Sequence, residues 1–416
     1  MRPLYTGSFV SHCTPEDMRT TRQSEAAITE IEDSDGGTQD LSLEVLERVL
    51  SRQAANVRLV EVGPRDGLQN EQNIVPLDTK IELIERLAKT GLRDIEAGAF
   101  VSPKWIPQMA DSSRILERLI TNPPAAGRNV SYSFLVPNIK GLENALAIST
   151  AASASEQQRT PSITSSNNAN LPPTPPHSPS PEAMGAQITS AQYPNDLPSS
   201  TSSTSPQPNE VSVFAAATET FSQKNTNCSI ATSLERFKPV ISLAKSCDVR
   251  VRAYVSVVLG CPYEGPNVSS AKVTELAGTL LEMGADEISL GDTTGMGTAP
   301  RTLNLHRSLS SAGIPTEKLA MHFHDTYGQA LINAAVSLEH GITIFDSSVA
   351  GLGGCPYAKG ATGNVATEDL LYFLHSVGMD TGVDVEKVAE VGQWISDALG
   401  RLNGSRAGKA ISSRKD

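Results

Sequence analysis

The chain has 416 residues, 39% of them apolar, and a formal net charge of −12. That is enough for one large domain or two medium ones, and the acidic balance argues against a nucleic-acid partner held by bulk charge. No apolar run approaches the roughly 18 residues a membrane-spanning helix needs. The five cysteines, Cys13, Cys228, Cys247, Cys261 and Cys355, are odd in number and make no C-x-x-C pair, so a disulfide scaffold is disfavoured and a reducing compartment preferred.

Residues 1–56 read as a mostly disordered leader. Arg2, Arg19, Arg22, Ser8 and Ser11 suggest a transit peptide, and Glu16, Asp17 and the acidic run Glu30–Asp33 speak against one. Order begins at Val57. Val57–Val62 alternates and is rich in β-branched residues, which predicts a strand. Gly63-Pro64 ends it, and Arg65–Glu71 forms a polar loop. Ile81, Ile84, Leu87 and Ala88 have helical spacing. The rhythm repeats with a strand over Arg93–Ala97, a helix from about Pro103, a strand over Ser131–Val136 and a helix through Gly141–Ile148.

The rhythm stops at residues 151–210, where Ser, Thr and Pro fill half of the positions and Tyr193 is the only aromatic. Such a stretch cannot bury enough apolar area to offset its ordering entropy, so it reads as a disordered insertion. Beyond it the alternation resumes. Strands are predicted over Val211–Ala216, Val249–Val258, Asp286–Leu290, Leu319–His324 and Thr343–Val349, each followed by a helix. Eight strand–helix units predict a (β/α)8 TIM barrel over residues 57–400, interrupted by the insertion. Val57–Ser376 without the insertion is close to the ~250 residues typical of that fold. A doubly wound open sheet is the alternative. A helix over 384–402 packs outside as a C-terminal helical extension, and 401–416 reads as a flexible tail.

In such a barrel the chemistry lies at the C-terminal ends of the strands. Those positions hold Arg65 and Asp66, Glu96, Asp292, and His322 with His324. Strand residues two apart share a face, so the two histidines point one way while Met321 and Phe323 point into packing. Asp66, His322 and His324 suit a divalent cation, with Asn364 as a neutral oxygen donor; this ligand set alone does not separate Mg, Mn and Zn. Each residue also has a plain structural alternative. The histidines can be a hydrogen-bonded core pair, Asp66 an Asx-turn residue, Asn364 a helix N-cap and Arg65 a surface ion-pair partner. Glu96 and Asp292 can be polar-layer residues.

The loop after the eighth strand has five glycines between Gly351 and Gly363, with Cys355 among them. Glycines give a loop several backbone states, so this cysteine can be carried over a substrate to transfer a proton. No histidine stands beside it as a thiol protease would need.

These residues resemble a known family. Val62–Glu71, Phe100–Trp105, Gly260–Gly265, His322–Thr326 and Gly353–Ala358 are similar to the signatures of the 3-hydroxy-3-methylglutaryl-CoA lyases, within the pyruvate carboxyltransferase-like TIM-barrel superfamily. The resemblance covers about residues 57–400. It implies cleavage of (S)-3-hydroxy-3-methylglutaryl-CoA to acetoacetate and acetyl-CoA, the chemistry of leucine degradation and ketone-body formation. It further implies a Mg or Mn cation on Asp66, His322, His324 and Asn364, with Asp292 or His322 as base. Arg65 would sit on the thioester oxygen, Glu96 would orient Arg65 or substrate, and Cys355 would supply the final proton. The implied partner is a small acyl-CoA, with no nucleic acid and no membrane, and a homodimer is left open. The implied compartment is the mitochondrial matrix, with the cytoplasm as alternative.

Two other functions stay open at this stage. One is a Claisen-type condensing synthase of the isopropylmalate or homocitrate type, against which Cys355 in its Gly-Gly-Cys-Pro run argues. The other is a non-catalytic scaffold working through the insertion.

Overall fold

The computed structural model describes residues 56–124, 130–157, 208–354 and 363–414. Eight parallel strands close into a barrel in sequence order, with the eighth pairing back to the first. They are β1 Arg58–Glu61, β2 Asp94–Ala99, β3 Ser131–Leu135, β4 Glu210–Ala216, β5 Arg250–Ser256, β6 Glu287–Asp292, β7 Leu319–Phe323 and β8 Ile344–Ser347. The helices are α1 Leu77–Leu87, α2 Ser112–Thr121, α3 Ile139–Gln157, α4 Glu219–Thr226, α5 Ile230–Ser246, α6 Ser270–Glu282, α7 Ala299–Ser311, α8 Ala330–Glu339, α9 Thr367–Ser376, α10 Val385–Leu399 and α11 Arg406–Ser412. The predicted TIM barrel is therefore the observed fold.

Alternation along each strand divides the barrel into two environments. Ile95, Val211, Val213, Val251, Val255, Ile288, Leu290, Met321, Phe323 and Phe345 face outward into one apolar cluster with helix residues such as Leu83, Leu116, Ile241, Leu280 and Leu309. The intervening positions face inward and are largely polar. Ser212 of β4 reaches Glu96 of β2, and Ser289 of β6 reaches Asp346 of β8. Contacts between strands that are not neighbours are made only across a barrel interior. Val60, Val62, Ala320 and Ile344 form a small separate apolar cluster.

Some boundaries differ from the prediction. The helix expected from Pro103 starts at Ser112, because Pro107 opens a short 3₁₀ turn over Pro107–Met109 first. The Arg65–Asp66 loop is a π-helical turn over Gly63–Gly67. Gly67 is needed in it: a β-carbon there would lie 2.6 Å from Ser348 Oγ. Helix α3 runs to Gln157, so the first positions of the expected insertion are helical; residues 158–207 lie outside the described residues, as do 1–55.

The expected flexible tail is also corrected. α10 ends at Gly400, whose φ of +65° closes the helix, and α11 follows. Ser405 caps α11, and Asp369 accepts from Ser405 Oγ at 2.7 Å and Ala407 N at 2.6 Å. An acidic group at a helix N-terminus is favourable, and Ile411 is buried, so this segment is part of the fold. Among the described residues no helix is long and apolar enough to cross a membrane.

Candidate metal centre

Asp66, His322 and His324 meet at the C-terminal mouth of the barrel, with one ligand atom of each within 4.8 Å of the others. Asp66 comes from the π-helical turn after β1, His322 from β7 and His324 from just beyond its end. Asn364 joins them through an isolated bridge to His324. Its Nδ2 donates to Asp66 Oδ2 at 2.9 Å and to Leu352 O at 3.1 Å, which leaves Oδ1 as the free atom. Asn364 is not a helix N-cap, since Ala366 holds that position.

The donor set fits a cation. Asn364 Oδ1 and His324 Nδ1 are buried without a partner, and native structures rarely leave such atoms unsatisfied without a reason. Burial opposes ionisation of Asp66, but Arg65 and the two histidines outweigh it and its pKa falls to about 2. Burial, aided by His322, lowers His324 to about 3, so its imidazole is neutral, as a metal ligand must be.

Arg65 stands beside the cluster. Its Nε donates to Glu96 Oε2 at 2.6 Å and its Nη1 to Asp66 Oδ1 at 2.7 Å. The guanidinium also lies 5.3 Å from the Tyr254 ring centroid. Glu96 is fully buried and is held by Ser212 Oγ at 2.7 Å and Tyr254 OH at 3.1 Å. Arg65 is therefore an internal ion-pair residue and not a surface one.

Asp292 ends β6, fully buried. Its Oδ2 accepts from Gly297 N at 2.9 Å and its Oδ1 has no partner. Burial raises its pKa to about 7, against the opposing influence of Gly297 and His322. It is outside the three-residue cluster that could hold a cation. Cys355 lies outside the described residues.

The sequence model of the HMGL-like family matches residues 56–168 and 196–395. The chain belongs to the HMGL-like family. It is 46% identical over 355 residues to the 3-hydroxy-3-isohexenylglutaryl-CoA/hydroxy-methylglutaryl-CoA lyase of Pseudomonas aeruginosa, a match spanning 85% of this chain and 97% of that one. It is 44% identical over 354 residues to the mitochondrial hydroxymethylglutaryl-CoA lyase of Gallus gallus, with 85% and 97% covered. The cytoplasmic 3-hydroxy-3-methylglutaryl-CoA lyase of Danio rerio matches at 44%, with 85% and 86% covered. HMGL-like relatives thus carry both mitochondrial and cytoplasmic names. Among solved structures, hydroxymethylglutaryl-CoA lyase from Pseudomonas aeruginosa matches with a TM-score of 0.68 and 45% identity, covering 86% of this chain and 98% of that one. An HMG-CoA lyase from Acinetobacter baumannii, solved with coenzyme A and 3-methylmalate, matches with a TM-score of 0.66 and 29% identity, covering 85% and 95%.

In this HMGL-like site a buried carboxylate also escapes sequence reasoning. Asp346 of β8, fully buried, lies with Oδ2 3.1 Å from His322 Nδ1. Its Oδ1 accepts from Arg252 Nη2 at 2.6 Å and its Oδ2 from Ser289 Oγ at 2.7 Å. The available signal was a single carboxylate directly after Ile344-Phe345, at an inward position of its strand. Burial pushes the Asp346 carboxyl up, but Arg252 and His322 hold it well below the usual carboxylate range. Burial lowers His322, and the Asp346 and Asp66 carboxylates more than reverse this, so its basicity is raised.

Proposed function

We propose that this site cleaves (S)-3-hydroxy-3-methylglutaryl-CoA to acetoacetate and acetyl-CoA, with a Mg or Mn cation held by Asp66, His322, His324 and Asn364. The observation that carries this is the convergence of that ligand cluster with the Arg65–Glu96 pair at one barrel mouth, in a chain 44–46% identical to lyases named for this substrate.

A cation bound there would supply Lewis acidity that makes the substrate's tertiary hydroxyl easier to deprotonate. The base is Asp292. Its pKa near 7 suits proton exchange at neutral pH, whereas His322 has its Nδ1 on Asp346 and its other nitrogen among the ligands. As the hydroxyl loses its proton, the C2–C3 bond breaks and acetoacetate leaves. The bonding electrons pass to the thioester as an enolate, and Arg65 stabilises the charge on its oxygen. Glu96 keeps the guanidinium in place. Cys355 returns a proton to the enolate carbon, which completes acetyl-CoA.

The names of the relatives support cleavage over acyl-CoA condensation, and the assembled site speaks against a scaffold. The test is product analysis. Purified protein given the CoA ester and Mg should release acetoacetate and acetyl-CoA in equal amounts. Absence of both, or net consumption of acetyl-CoA with an oxo-acid, would overturn the reading.

A further inference from the structure

The hydrogen bonds around Asp346 decide which nitrogen of His322 carries the proton. Arg252 and Ser289 both donate to this carboxylate, and Arg252 is itself fully buried beside it. An ionised carboxylate only accepts. The His322 Nδ1 facing Asp346 Oδ2 must therefore carry a hydrogen, and the lone pair is confined to Nε2. That nitrogen is the one turned towards Asp66, 3.9 Å from its Oδ2. His324 has no such partner, since its Nδ1 is buried and unsatisfied.

We propose that Asp346 is a positioning residue that locks His322 in the Nδ1–H tautomer and so presents Nε2 to the cation, with Arg252 anchoring the carboxylate. The inference rests on the reading of His322 as a metal ligand. Carboxylates that hold a ligating imidazole in this way orient the ring and raise its basicity. The geometry makes a definite statement about an amide at this position. In Asp346→Asn, Arg252 requires the acceptor oxygen, so the NH₂ group is left facing His322 Nδ1. An NH₂ group needs an acceptor, which moves the imidazole proton to Nε2 and closes that nitrogen to a metal.

The experiment measures Mn binding by calorimetry or electron paramagnetic resonance, without substrate, in wild type, Asp346→Asn, Ser289→Ala and His322→Ala. In parallel, ¹⁵N imidazole spectra of the metal-free proteins, recorded at a pH high enough for the ring to be neutral, report the His322 tautomer. The expected result is that Asp346→Asn weakens Mn binding by about 10–100-fold and shifts the spectrum to the Nε2–H tautomer. Ser289→Ala, which leaves the carboxylate on Arg252 and His322, should keep the wild-type tautomer and most of the affinity. If Asp346→Asn fails to fold, wild-type protein still tests the claim, because an Nε2–H tautomer in it overturns the proposal. Unchanged Mn affinity in Asp346→Asn overturns it too. If His322→Ala binds Mn as tightly as wild type, the ligand reading itself fails. Loss in His322→Ala with none in Asp346→Asn sinks only the role of Asp346.

Discussion

Arg65 Nε donates to Glu96 Oε2 across 2.6 Å, and both side chains are buried. The same guanidinium reaches Asp66 with Nη1, so one planar fork spans the ligand cluster and the Glu96 anchor. A lysine ammonium is a compact point charge and lacks the planar fork that spans the two contacts. Arg65→Lys is therefore expected to lower kcat by about 10²–10³-fold, the usual loss when one donor to a developing oxyanion is removed. Steady-state kinetics with saturating Mg checks this; a kcat within a factor of two or so of wild type would remove Arg65 from the chemistry.

Cys355 is expected to deliver the last proton. It is proposed to act after binding, so Cys355→Ala should lower kcat by about 10²–10⁴-fold with little change in KM. Alkylation should inactivate the wild type, with a substrate analogue giving protection. Near wild-type turnover in the alanine variant would assign the proton to another donor.

Much of the site was legible because its residues lie at strand ends in a repeating pattern. His322 and His324 alternate with the core residues Met321 and Phe323, and Asp66 follows the first strand within a few residues. Asp346 was not legible. Its meaning depends on Arg252, 94 positions earlier, and Ser289, 57 positions earlier, and only barrel closure brings these together. The ordered C-terminus was missed for the same reason. A seven-residue helix with Gly408 in it has little propensity of its own, and the Asp369 that caps it comes from another helix. Spacing within one segment carries no information on such partners.

Two buried carboxyls outside the barrel interior give a stability prediction. Burial raises Glu368 to about 8, with neighbouring Glu61 adding to the rise, and burial raises Glu61 to about 7. Both groups hold backbone amides of the loop after β8: Glu368 accepts from Ala350 N, and Glu61 from Val349 N. The folded state thus binds more protons than the unfolded chain above the ordinary value of 4.5. Stability contributed by these groups is full below that value and is lost as pH rises towards 7 to 8. The Tm of metal-free protein should fall across that window, and Glu368→Gln should flatten the fall. Equal slopes in both proteins would show that Glu368 stays ionised.

Deleting residues 158–207 and joining Gln157 to Pro208 by a short turn should leave Tm and kcat nearly unchanged. The connection from α3 to β4 runs from a helix to a strand, and such connections lie on the barrel face away from the chemistry. A large loss in either quantity would show that the segment contributes to the folded enzyme.

The most direct test of metal-dependent cleavage at this site is a metal titration. Protein stripped with EDTA is assayed for acetoacetate from the CoA ester as Mg or Mn is added back. A cation on Asp66, His322, His324 and Asn364 predicts no turnover in the stripped protein and a saturable return with either metal, with Asn364→Ala shifting the curve to higher concentration. Full turnover by the stripped protein in excess chelator would contradict it.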